Sequence, residues 1–211
     1  MRDLTPLCQL ARKHETDKGG RHMRYGGGDS DTCHEYTPIY WDLLSTRRDQ
    51  VRNVLEIGIN AGSSLRMWAE FFPKAFICGI DCDPRTLFTA DRIRTALADQ
   101  NNPTSLMEAI KQLGVNRFDL IIDDGSHEEP HQIVSLQTLA PLLAPDGIYV
   151  VEDLQIDCHP ERVGDRAPAG FAWQAYVTEM GIGKAHCPCN ECGGKKPEQL
   201  LVIRRKQPGA R

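Results

Sequence analysis

The sequence predicts an α/β domain with a mostly parallel sheet and helices on both faces. Two observations predict it. From Val51 onward, short apolar runs alternate with stretches whose apolar residues recur every three or four positions. Strands alternating with amphipathic helices give parallel sheets covered on both sides. In addition, nearly every apolar run stops at acidic residues: Glu56, Asp81, Asp123-Asp124 and Glu152-Asp153. Ligands of such sheets sit beyond the carboxyl ends of the strands, so these acids mark the functional edge.

The elements follow in order. Residues 14–37 are rich in Gly, His, Asp and Tyr and read as a mobile loop or lid, which divides the chain into a lid or acceptor segment (1–50) and a main domain (51–211). Val54 to Ile57 is a short strand stopping at Gly58. Ser63 or Ser64 caps a helix whose apolar face is Leu65, Trp68, Ala69 and Phe72. Pro73 ends it. Ala75 to Ile80 is the second strand. Asp83 followed by Pro84 is a cap and a first-turn proline, which predicts a second helix. A third strand precedes Asp99-Gln100. Asn102, Pro103 and Gly114 bracket a helix with Leu106, Ala109, Ile110 and Leu113 on one face. Phe118 to Ile122 is a buried strand. Ile133, Leu136, Leu139 and Leu143 make the next helical face, and Ile148 to Val151 the next strand.

Composition narrows the function. The 211 residues carry 25 Lys and Arg against 29 Asp and Glu, a net charge of −4. This excludes a basic footprint for nonspecific binding to nucleic acid or anionic membranes. Apolar residues are 40% of the chain, enough for a sizeable core. No apolar run approaches the roughly 20 residues of a membrane span. MRDLTPLCQLARKHETDKGG has no apolar core followed by a cleavage site, so a cytoplasmic protein is expected.

Residues 56–62, Glu-Ile-Gly-Ile-Asn-Ala-Gly, form a glycine-bearing strand-to-helix turn. Gly58 and Gly62 let backbone approach a ligand closely. Asn60 stands where a dinucleotide fingerprint has the glycine that makes room for a pyrophosphate. Asp81 lies 25 residues after Glu56, where its carboxylate accepts ribose hydroxyls, and Asp99-Gln100 is placed to read an adenine edge. This pattern fits S-adenosylmethionine better than a nicotinamide dinucleotide. Asp124, Glu152 and Asp153 follow neighbouring strands and converge if Glu152 and Asp153 leave regular strand geometry. Three such oxygens suit Mg²⁺. A divalent ion lowers a hydroxyl's pKa, and His127 is placed to take its proton as general base. His131, one helical turn further, packs or caps.

Residues 54–154 resemble the class I S-adenosylmethionine-dependent methyltransferases. More narrowly, they resemble the metal-dependent O-methyltransferases that modify sugars of macrolides and other antibiotics. The stretches that carry the resemblance are LEIGINAGSSLRMW, GIDCDP, ADQ, FDLIIDDGSH, HQ and IYVVEDL, with TDKG (16–19) and HEYTPIY (34–40) further upstream. The resemblance implies a seven-stranded Rossmann-like sheet with a reversed last strand, for which Leu200 to Arg204 is the candidate. It also supports Asp124, Glu152 and Asp153 as Mg²⁺ ligands and His127 as base. A small-molecule acceptor bearing a sugar, antibiotic biosynthesis and a homo-oligomer are the corresponding expectations. Lys18 is a candidate partner of the cofactor carboxylate, Ser63 a candidate contact at the glycine turn, and Tyr36 or Tyr40 candidate walls of the acceptor pocket. The insertion GRHMRYGGGDSDTC (20–33) departs from the family pattern. Proteins named for cephalosporin hydroxylation share DDGSH and EDL, which makes a redox enzyme on the same fold the first rival. A cofactor-binding module without catalysis is the second. Asn60 disfavours a nicotinamide-dependent version of the first, and His127 beside three carboxylates argues against the second.

A cysteine-rich insertion, 186–194, holds Cys187, Cys189 and Cys192, with His186, Cys158 or His159 as a fourth ligand. Three closely spaced thiolates suit structural zinc; a disulfide or free thiols are the alternatives.

Overall fold

The computed structural model describes residues 5–19, 32–154, 159–182 and 195–207. Among these, nine strands form one sheet: β1 (Thr32–Cys33), β2 (Asn53–Ile57), β3 (Phe76–Asp81), β4 (Thr89–Ala90), β5 (Ile93–Leu97), β6 (Phe118–Asp123), β7 (Leu143–Leu154), β8 (Phe171–Ile182) and β9 (Lys195–Arg205). Their order is β1-β8-β9-β7-β6-β2-β3-β5-β4. The central pairs β7/β6, β6/β2, β2/β3 and β3/β5 are parallel. β9, which contains Leu200 to Arg204, runs antiparallel to both β7 and β8, so the reversed last strand is where the sequence places it. The expected seven strands are the seven longer ones. The other two, β1 and β4, are two-residue edge pairings too short to leave a hydrophobic period in the sequence.

Among the described residues six α-helices accompany the sheet: α1 (Pro6–His14), α2 (Tyr36–Leu44), α3 (Ser63–Phe71), α4 (Pro103–Leu113), α5 (Glu129–Leu139) and α6 (Pro160–Gly164). α4 matches its sequence signals: Asn102 Oδ1 accepts from the Thr104 and Ser105 amides, and Gly114 ends the helix in left-handed backbone. Three expectations are corrected. Gly62, not a serine, occupies the cap position of α3, and Ser63 is its first helical residue. Asp83-Pro84 opens only a 3₁₀ turn, Pro84–Thr86, because the Thr95 hydroxyl accepts from the Phe88 amide at 2.8 Å and donates to its carbonyl at 2.7 Å, drawing the chain out as an edge. Leu143 is not on the α5 face: the helix ends at Leu139, a 3₁₀ turn follows, and Leu143 begins β7.

Alternate strand residues face opposite sides of the sheet. Val54, Ile77, Leu120, Ile122, Ile148 and Val150 pack under α1–α3 with Tyr36, Tyr40, Trp68, Phe71 and Phe72. Leu55, Cys78, Ile80, Ile121, Tyr149 and Val151 pack under α4 and α5 with Leu106, Ile110, Leu136 and Leu139. The segment before residue 51 thus shares the first core, through Leu7, Cys8, Ala11 and α2. No helix among the described residues is long and apolar enough to cross a membrane.

Where β2 ends, Gly58 adopts φ +91°, and a Cβ there would lie 2.0 Å from the Asp124 carbonyl oxygen. Gly58 therefore seats the turn after β6 against the turn after β2. Gly58→Ala is expected to cost more than about 2 kcal/mol in urea unfolding, since it adds a backbone clash to a strained φ.

Candidate active site

The polar residues at the carboxyl edge divide by the same alternation. Glu56 follows Leu55 and Glu152 follows Val151, so both turn toward the α1–α3 side. There they meet a lysine delivered by the turn after α1. Lys18 is 1% exposed. Its Nζ lies 2.5 Å from Asp124 Oδ2 and 3.2 Å from Glu56 Oε1, and it also donates to Glu152 Oε2. Tyr40 donates to Glu152 Oε1 at 2.5 Å. Burial works against the Lys18 charge, but the carboxylates of Asp124, Glu152 and Glu56 outweigh it and hold its pKa well above the ordinary value. Burial pushes Glu56 up to about 7 against the pull of Lys18. It raises Asp124 and Glu152 as well, again against Lys18. The Lys18 carbonyl accepts from the Tyr36 and Thr37 amides at 3.1 and 3.0 Å, satisfying the start of α2.

A second group lies at the rim. Asp124, His127 and Asp153 each offer a ligand atom, and these atoms all lie within 4.8 Å of one another. His127 Nε2 is 3.8 Å from Asp153 Oδ2, and His127 Nδ1 is buried with no hydrogen-bond partner. Both His127 (φ 59°) and Asp153 (φ 52°) are left-handed. The ladder between β7 and β9 shifts register between Val151 and Leu154. Asp153 does leave regular strand geometry, as joint ligation requires, yet Glu152 does not join it. Glu152 stays with Lys18 and Tyr40, and His127 completes the close set instead.

Asp153 is anchored from behind. Tyr36 donates to its Oδ1 at 2.6 Å and accepts from its amide at 3.2 Å, while His34 Nδ1 is 3.2 Å from the same Oδ1. Burial alone would raise its pKa, but His34, His127 and Tyr36 hold it well below the usual carboxylate range. His34 Nε2 reaches on to Asp17 Oδ2 at 3.4 Å. Sequence reasoning did not assign His34 or Asp17. Their only sequence signal is that they lie in or beside the TDKG and HEYTPIY stretches. Tyr36 and Tyr40, expected as pocket walls, are partners of the carboxylates.

The cofactor candidates occupy the adjacent edge. Asp81 Oδ2 accepts from the Ile59 amide at 2.8 Å, and its Oδ1 accepts from Asp83 at 2.9 Å. A carboxylate has further lone pairs for ribose hydroxyls. Gly62 (φ +75°) lies under the Phe88 ring, 2.5 Å from where its Cβ would be. Ser63 begins α3 beside it, half-buried. Asp99 is exposed and accepts from the Asn101 amide at 2.9 Å. Gln100 departs from expectation. It is 7% exposed and both ends of its amide are engaged within the protein, so it does not face an adenine edge. His131 Nδ1 pairs with the Ser126 hydroxyl at 2.9 Å, a local role as expected. Cys158, His186, Cys187, Cys189 and Cys192 lie outside the described residues. His159 is described, and its Nδ1 pairs with Glu161 at 3.1 Å.

Residues 55–154 match a family model described as a methyltransferase domain. This segment is a methyltransferase domain. Relatives matched over three quarters or more of this chain carry more specific names. The 8-demethyl-8-alpha-L-rhamnosyl tetracenomycin-C 2'-O-methyltransferase of Streptomyces olivaceus is 36% identical over 166 residues, covering 75% of this chain and 40% of that protein. The demethylmacrocin O-methyltransferase of Streptomyces fradiae is 35% identical over 203 residues, 90% of this chain and 49% of its own length. This chain therefore spans less than half the length of these relatives. Among solved structures, the MycE methyltransferase of the mycinamycin biosynthetic pathway, in complex with Mg, SAH and mycinamycin VI, superposes with a TM-score of 0.66 at 26% identity. The match covers 96% of this chain and 54% of that one. The methyltransferase domain thus holds Glu56, Asp81, Asp124, His127, Glu152 and Asp153, while Lys18, Tyr36 and Tyr40 reach it from upstream.

Two measurements test this electrostatic arrangement. Lys18→Met leaves two buried carboxylates, Glu56 and Glu152, and the half-buried Asp124 without their cation and is expected to cost about 3–5 kcal/mol in urea unfolding. The pH dependence has a definite sign. A raised carboxylate pKa means the folded state holds the proton more tightly, so the stability it contributes is present at low pH and lost as pH rises through the folded value. Glu56 (about 7) and Asp123 (about 6, raised by burial) act this way. Asp153, whose pKa is lowered, contributes above the ordinary carboxylate range and loses its contribution only in acid. Stability of the metal- and donor-free protein is therefore expected to fall from about pH 5 to about pH 8, and Glu56→Gln to flatten that fall.

Proposed function

We propose that this chain transfers the methyl group of S-adenosylmethionine to a hydroxyl of a sugar-bearing natural product, with Mg²⁺ at the rim of the sheet. The observation that carries this reading is the close set of Asp124, His127 and Asp153 beside the glycine turn. Relatives named for 2'-O-methylation of a rhamnosyl group and for demethylmacrocin O-methylation support the acceptor class. The MycE complexes support Mg²⁺ and the donor.

The residues fit both groups. Asp124 and Asp153 present hard oxygen donors of the kind Mg²⁺ takes. The buried, unpartnered Nδ1 of His127 marks a polar position that the protein itself does not satisfy. Asp124 and Asp153 would hold the ion, which would supply the positive charge that lowers the pKa of an acceptor hydroxyl. Gly58, Gly62 and Ser63 would border the donor, and the Asp81 carboxylate would accept from its ribose hydroxyls. His127 takes the hydroxyl proton as oxygen bonds to the methyl carbon and the carbon–sulfur bond breaks. Asp153, 3.8 Å from His127 Nε2, stabilises the imidazolium so formed. Tyr36 and His34 hold Asp153 in place while this charge develops.

Incubation with S-adenosylmethionine, MgCl₂ and a panel of glycosylated metabolites is expected to add one methyl group to an acceptor. Dialysis against EDTA is expected to abolish that product, and Mg²⁺ to restore it; undiminished turnover after EDTA would remove the metal from the mechanism. His127→Ala is expected to lower kcat about 10²–10⁴-fold while S-adenosylhomocysteine affinity holds.

A further inference from the structure

A buried polar cluster lies on the α4–α5 side of the sheet, behind the loop that carries Asp124 and His127, and takes no part in the chemistry above. At its centre is Asp123, the last residue of β6 and fully buried. Its carboxylate accepts from Gln100 Nε2 at 2.7 Å, from the Tyr149 hydroxyl at 3.2 Å, from the Ser135 hydroxyl and from the Gly125 amide. Gln100 is gripped twice by its NH₂ group, which also reaches Ser135 Oγ at 3.3 Å. Its Oε1 accepts from the Ser126 amide at 2.9 Å. The fit is close, since a Cβ on Gly125 would stand 2.3 Å from that Oε1.

The two amides between Asp124 and His127 are therefore both held by this cluster, Gly125 by Asp123 and Ser126 by Gln100. We propose that Gln100 and Asp123 are positioning residues, which fix this loop from the far side of the sheet and so aim the Asp124 carboxylate and the His127 imidazole. The inference rests on the methyl-transfer reading. Three features of the chain support it. His127 has left-handed backbone, a conformation that persists only where the surroundings enforce it. The Gln100 side chain has the one chemistry the position needs, donating to a carboxylate while accepting from an N–H. Gln100 donates to Asp123 on β6 and Ser135 on α5, and Tyr149 of β7 donates to Asp123 in turn, so the loop is referenced to the core elements of the fold rather than to the surface.

The test separates aiming from donor binding. Gln100→Met keeps length and volume but cannot accept from Ser126. It is expected to lower kcat about 10- to 100-fold, since small misplacements of reacting groups cost that much. The Kd for S-adenosylhomocysteine, measured by calorimetry, is expected to stay within about twofold of wild type. An unchanged kcat would overturn the proposal. So would weakened S-adenosylhomocysteine binding with kcat preserved at saturating donor, the signature of a residue that reads the cofactor. Should Gln100→Met not fold, hydrogen exchange on the wild-type protein without donor decides. The Gly125 and Ser126 amides are expected to exchange at least about 100-fold more slowly than in an unstructured chain, and free exchange of either would overturn the loop's anchoring. A wild-type protein that methylates no acceptor brings down the reading of function instead, and leaves the exchange result standing.

Discussion

One ammonium group ties the candidate site together. Lys18 meets Glu56 on β2, Asp124 after β6 and Glu152 on β7, all from a turn outside the sheet. Burying a carboxylate without a counter-charge costs more than most single interactions return. The strands alone would place such carboxylates at their ends with nothing to neutralise them, so the upstream segment is part of the site's construction. Its backbone contributes too. By accepting from the Tyr36 and Thr37 amides, Lys18 starts α2 in the one place from which residues four apart, Tyr36 and Tyr40, reach Asp153 and Glu152.

The period of two along a strand sorts the acidic residues into separate tasks. Glu56 and Glu152 face α1–α3 and pair with Lys18. Asp123 faces α4–α5 and accepts from Gln100, Ser135 and Tyr149. Asp124 and Asp153 lie beyond or outside regular strand geometry, and among the described residues these two stand with His127 at the rim. Adjacent acids such as Asp123 and Asp124 therefore serve different ends of the fold, one fixing the loop and the other presented by it.

This sorting also explains how much of the protein was legible in its sequence. The central strands, α3 and α4 were readable because periodicity, caps and glycines are local signals. The edge acids were readable as a set because strand ends are local too. Their division was not: Asp153 escapes alternation through a left-handed backbone, and no residue type at 153 announces that. Lys18 is 106 residues from Asp124 in the chain, and its partners are visible only once α1 and α2 are folded against β2. Gln100 stands where a cofactor reader is expected, yet its partners Asp123, Ser126 and Ser135 come from later in the chain, on β6, the loop after it and α5. Asp83-Pro84 misled for the opposite reason. The local cap signal was genuine, since Asp83 accepts from the Arg85 amide, but Thr95 captured the following residues before a helix could propagate.

The charge balance left by this construction bears on the chemistry. Three carboxylates, Glu56, Asp124 and Glu152, share the one ammonium of Lys18, and burial raises all three against its pull. A site short of positive charge favours ligands that bring it. A sulfonium donor and a divalent ion both do, and an acceptor hydroxyl does not compete with either. In the methyl transfer proposed above, the sulfonium would become a thioether, so the spent donor would lose the electrostatic part of its attraction while Lys18, Tyr36 and Tyr40 still hold the carboxylates.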